Sequence, residues 1–93
     1  MELQTTKKMR QIGTMCEALR AFALAGIQAR LTCGKYGIEL SVYADSEEDL
    51  KEYAKVCSWF TSKEDKVEER HFPSKSSRPE FYVIEIDKEY DDV

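Results

Sequence analysis

Four side chains in this 93-residue chain have the chemistry of metal ligands or catalytic groups: Cys16, Cys33, Cys57 and His71. By number and type they would make a legal zinc set. Their spacing argues against one, because structural zinc sites bring ligands in close sequence pairs, whereas these are scattered and the cysteines fall on apolar faces. His71 is the single histidine, so any serine–histidine or cysteine–histidine catalysis must use it. Its neighbours Glu69, Arg70 and Phe72 form a charged stretch with no nucleophile motif. The odd number and wide separation of the cysteines fit reduced, buried thiols and not a disulfide framework. Cys33-Gly34-Lys35-Tyr36-Gly37 has the glycines and lysine of a phosphate loop, but it lacks that motif's spacing and leads into a strand. The acid pairs Glu47/Glu48, Glu68/Glu69 and Asp91/Asp92 lack the spaced oxygens and turn glycine of a calcium loop. The sequence therefore predicts a protein that is not an enzyme and needs neither metal nor cofactor.

The charge distribution is more informative. The formal net charge is −4. Residues 1–36 carry six Lys/Arg against two acids, and residues 37–93 carry eight against sixteen. Such asymmetry bears on partner choice more than on fold. Two surfaces stand out. One is acidic, with Asp45, Glu47, Glu48 and Glu52 beside Tyr43 as the candidate partner-binding set. Carboxylates interleaved with aromatics can occupy a basic groove in place of phosphate. The other is basic: Lys7, Lys8 and Arg10 are possible phosphate contacts, placed in the opening turns of a helix where the dipole disfavours them. Three charges on an acidic protein give only weak, salt-sensitive contact with a polyanion, so direct nucleic-acid binding is not expected.

The elements that carry these groups follow from periodicity. Residues 5–25 read as an amphipathic helix through Met9, Ile12, Cys16, Leu19 and Ala23, with Met15 and Phe22 beside them. Thr5 or Thr6 would cap its start, Gly26 would close it, and Gly13 would mark a close backbone approach. Ile27, Ala29, Leu31 and Cys33, then Ile38, Leu40, Val42 and Ala44, alternate with polar residues on either side of Gly34-Lys35-Tyr36-Gly37: a β-hairpin with one apolar face. Ser46 caps a second helix whose buried stripe is Leu50, Tyr53, Ala54, Cys57 and Phe60. Acids fill its first turn, and Glu47 and Lys51 make an i,i+4 pair. Residues 66–72 form an edge strand, 73–79 a mobile proline-bracketed loop, and 87–93 a frayed acidic tail. The expected architecture is α+β in the order α-β-β-α-β-β, a single domain over residues 1–93. A small antiparallel sheet of three or four strands has both helices on one face.

The last strand, residues 80–86, is apolar on both sides: Tyr82, Ile84 and Ile86 on one, Phe81 and Val83 on the other. Either it lies centrally with both faces covered, or it forms an interface. The second alternative makes Phe81, Tyr82, Val83 and Ile84 a self-association surface of a homo-oligomer, including edge-to-edge pairing of this strand.

No apolar run approaches the roughly 18 residues of a membrane span, and the first residues lack the layout of a signal peptide, so a cytoplasmic protein with no membrane partner is expected. In size, acidity and lack of a catalytic motif the chain resembles the small inhibitor proteins of phages and mobile elements, including DNA mimics and anti-CRISPR proteins. That resemblance is one of type and covers no motif. It implies an inhibitor that blocks a basic site on a larger protein or nucleoprotein complex. The alternative is a small-ligand or nucleotide-binding protein using the sheet face or a pocket between subunits.

Overall fold

The computed structural model describes residues 2–90, with side chains from residue 7 onward. The elements are α1 (Glu2–Leu24), β1 (Ala29–Cys33), β2 (Gly37–Ala44), α2 (Glu47–Cys57), β3 (Lys66–Phe72) and β4 (Phe81–Glu89). The four strands form one antiparallel sheet in the order β1-β2-β4-β3. The chain is thus an αββ unit followed by a second αββ unit, and their hairpins join along β2 and β4.

Helix α1 starts at Glu2, so Thr5 and Thr6 fall inside it and do not cap it. Its end is as expected. Gly26 takes φ +78°, the Ile27 amide donates to Phe22 O at 2.9 Å and the Gly26 amide to Ala23 O at 3.0 Å. These two bonds satisfy the last carbonyls and turn the chain into β1. Met15 and Phe22 are the buried anchors of α1; Met9, read as part of the stripe, is 63% exposed, and Cys16 and Ala23 lie on the exposed flank. No backbone approaches Gly13, because nothing lies within 4 Å of where its Cβ would stand.

The hairpin forms as expected, with Leu31 opposite Leu40 and Cys33 opposite Ile38. The reversal is tight, with the Gly34 amide donating to Gly37 O at 2.8 Å. Neither Gly34 nor Gly37 has a positive φ. A Cβ on Gly37 would instead lie 2.4 Å from Lys88 O, so glycine is required there by the close passage of β4.

Along β2, Ile38, Leu40, Val42 and Ala44 are buried on the face that both helices cover. α1 packs over β1 and β2, and α2 over β2 and β4. Leu50 and Cys57 of α2 meet Ile84 and Ile86 of β4 in the same core. Among the described residues no helix covers β3, which leaves Val67 46% exposed although it pairs with buried Ile86.

Strand β4 is central, flanked by β2 and β3, and this overturns edge-to-edge pairing of β4 with another copy. Its second apolar side is covered within the chain. The Phe81 ring stacks on Phe72 at 4.8 Å, Tyr43 lies 6.2 Å away, and the Arg78 guanidinium sits 4.8 Å over the Phe81 ring. Arg78 is held there by donating from Nη1 to Pro73 O at 3.1 Å and Pro79 O at 3.4 Å. The connection read as mobile is closed by reciprocal backbone bonds between Lys75 and Arg78. Val83 beneath this cover is 4% exposed and Ile84 on the helix side is 0% exposed, while Phe81 and Tyr82 are half-buried. β4 also runs beyond Ile86, so Asp87, Lys88 and Glu89 belong to the ladder and not to a tail; Asp91, Asp92 and Val93 lie outside the described residues.

Candidate functional site

Helix α2 positions the acidic set. Ser46 Oγ accepts from the Asp49 amide at 3.1 Å, which caps the helix and fixes where Glu47, Glu48 and Asp49 emerge. Asp45, Glu47, Glu48 and Glu52 are exposed, and none makes an ion pair among the described residues. The expected Glu47–Lys51 pair is not formed. Some acids on and beside β3 and β4 are paired: Glu85 takes Arg70 at 3.2 Å, Glu80 just before β4 takes His71 at 3.1 Å, and Asp65 just before β3 takes Lys88 at 2.9 Å. Among the described residues the start of α2 has no such pairs.

Tyr43 does not belong with this set. It lies on β2 opposite Val83, on the face turned away from the helices, against Phe81. Tyr53, read as core, takes its place. It is half-buried, its ring meets Phe22 edge-on at 6.4 Å, and burial followed by the Asp49, Glu52 and Asp45 charges raises its phenol above the ordinary value. Burial, Glu80 and Glu47 do the same for Tyr82, whose ring stacks on His71 at 4.6 Å.

The basic set is weaker than its sequence suggests. Because α1 begins at Glu2, Lys7, Lys8 and Arg10 lie past the first turn, where the dipole no longer opposes them. Lys7 and Lys8 are half-buried, and Lys8 Nζ sits 5.5 Å over the Tyr90 ring.

The outer sheet face holds a cleft of about 520 Å³ beside the β1–β2 turn, lined in part by Thr32, Glu39, Lys66 and Asp87. Glu39 faces Asp87 across the ladder. Burial, the Asp87 and Glu85 charges and a hydrogen bond with Asp87 raise the Glu39 carboxyl, with Arg70 acting the other way. Stability linked to this group is present below its unfolded pKa and is lost as pH rises through the folded one.

The cysteines correct the sequence reading. Cys16 and Cys33 are exposed. Cys57 alone is buried, and burial pushes its thiol up to about 11. Among the described residues no three His, Cys, Asp or Glu side chains converge on a possible metal position. Two thiols are therefore expected to react within minutes with a chromogenic disulfide reagent in the native protein at pH 8, and the third only after unfolding. Slow labelling of all three would contradict the exposed flank of α1 and the exposed end of β1.

Among the described residues no helix is long and apolar enough to cross a membrane. Comparison with models of known families, with curated proteins and with solved structures finds no match.

Proposed function

We propose that this chain is a non-enzymatic protein-binding module whose acidic α2 surface docks on a basic site of a larger protein or nucleoprotein complex and blocks it, as an inhibitor. One observation carries the reading. Asp45, Glu47, Glu48 and Glu52 are exposed together, and among the described residues none of them has an ion-pair partner. Unpaired like charges on one helix repel one another, and a basic partner relieves that repulsion while steering encounter.

The test is charge reversal. A partner captured by affinity from lysate, then purified, is measured for association with the native chain and with a variant carrying Glu47→Lys, Glu48→Lys and Glu52→Lys. The on-rate is expected to fall about tenfold at low salt, and added salt is expected to slow the native pair. Glu47 and Glu48 lie in the first turn of α2, so the triple change also costs about 1 kcal/mol of helix stability. Glu52→Lys alone lies past that turn and separates the two effects. Unchanged association at low salt would show that the acids serve solubility only.

A further inference from the structure

The flank of α1 that faces α2 is unfilled near the chain's exposed tryptophan. Ala18, Ala21 and Ala25 of α1 and its C-terminal extension, with Val56, Trp59 and Phe60 at the end of α2, line an apolar groove of about 320 Å³. That volume suits one or two large side chains. Trp59 is 80% exposed and nearby Leu24 78% exposed, so this end of the helical layer keeps large apolar surfaces in water.

The groove wall continues into the acidic surface. Phe22 lines the groove and touches Tyr53 edge-on, and the Tyr53 phenol lies within the field of Asp45, Asp49 and Glu52. On α2, Glu52 stands one helical turn from Val56. An occupant therefore meets apolar walls first and carboxylates about one turn away. A second copy fits this poorly, since a two-fold contact over this end would bring two sets of the same Asp49 and Glu52 carboxylates into one interface on a chain of net charge −4.

We infer that the groove receives an amphipathic helix of the partner, with bulky apolar side chains seated between α1 and α2 and Lys or Arg one to two turns along, facing Glu52 and Asp49. This rests on the acidic-surface reading and adds to it an apolar anchor, which sets residence time where the charges set encounter.

The probe is a synthetic helical peptide with a leucine stripe flanked by lysines, followed through the emission of Trp59, the single tryptophan. Saturable binding with a blue shift is expected. The same peptide with serines for leucines, or with glutamates for lysines, is expected to bind at least about tenfold more weakly. Ala21→Glu, at an exposed position that leaves the core intact, is expected to weaken binding by a similar factor with unchanged circular dichroism. No saturable shift up to about 1 mM, equal binding by the glutamate peptide, or equal binding by Ala21→Glu would each overturn the inference. So would sedimentation showing a dimer in which Trp59 is already covered. If the purified partner is slowed by the lysine reversal on α2 but is indifferent to Ala21→Glu, the acidic surface stands and the groove assignment fails. If Ala21→Glu weakens that partner and the reversal does not, the groove stands and the electrostatic reading fails.

Discussion

Ile84→Ala is expected to lower the free energy of unfolding by about 3 kcal/mol, inside the range for truncating a large aliphatic side chain in a packed core. Ile84 is 0% exposed, lies on the central strand opposite Val42, and packs in the core to which α2 contributes Leu50 and Cys57. Few neighbours can collapse into the space, because β2 and β3 hold the backbone of β4 on both sides. Marginal domains hold about 5–15 kcal/mol in total, so the loss is a large share. Val67→Ala on β3 is the matched control. Val67 is on the same side of the sheet but has no helix above it, and its truncation should cost about 0.5 kcal/mol or less. Urea unfolding followed by circular dichroism gives both values, with m unchanged. Equal losses at the two positions would mean that the helical layer does not end where the structure places it.

Gly37→Ala is expected to destabilise by about 2 kcal/mol, whereas Gly13→Ala should stabilise by roughly 0.5–1 kcal/mol. The added methyl on Gly37 would meet Lys88 O at 2.4 Å and Glu89 Cα at 3.2 Å, both backbone atoms that move only if the β2–β4 ladder opens. The methyl on Gly13 meets nothing within 4 Å and removes a flexible point from the middle of α1. Opposite signs in thermal unfolding are the expected result. A harmless Gly37→Ala would show that the ladder end yields easily and that glycine there is incidental.

Much of the fold is legible in the sequence because its signals are local. The β1–β2 hairpin reads from strict alternation, α2 from Ser46 and three acids ahead of an apolar stripe, and the C-terminal closure of α1 from Gly26. The errors arise where one side chain's fate depends on a distant element. Cys16 and Met9 have the period of a buried stripe but sit on its outer flank, outside the contact that α1 makes with β1 and β2. Tyr43 is two residues from Asp45 in sequence, yet it is the last outward-facing residue of β2, alternating with helix-side Val42 and Ala44, and so lies on the outer face of the sheet while Asp45 is already past the strand. The double apolar character of β4 is readable, but not that Arg78 and Phe72 would cover its outer side. At the candidate site, the exposed acids of α2 are visible in the sequence. Tyr53 and the groove are not, because both require α1 and α2 to lie side by side. The alanines at 18, 21 and 25 are the one local trace of that groove, since their spacing sets small side chains along one flank of the helix.

The αββ unit followed by αββ has a consequence for how the chain comes apart. Each hairpin closes a short loop, but β2 pairs with β4 across the middle of the sequence, Gly37 meeting Glu89 and Ala44 meeting Tyr82. Neither half holds a core of its own: Met15, Phe22 and Leu40 come from the first, Leu50, Ile84 and Ile86 from the second, and they form one cluster. Severing the chain between β2 and α2 would not release two small domains. It would leave two fragments, each with a bare apolar hairpin and a helix too short of partners, that acquire structure only by complementing one another.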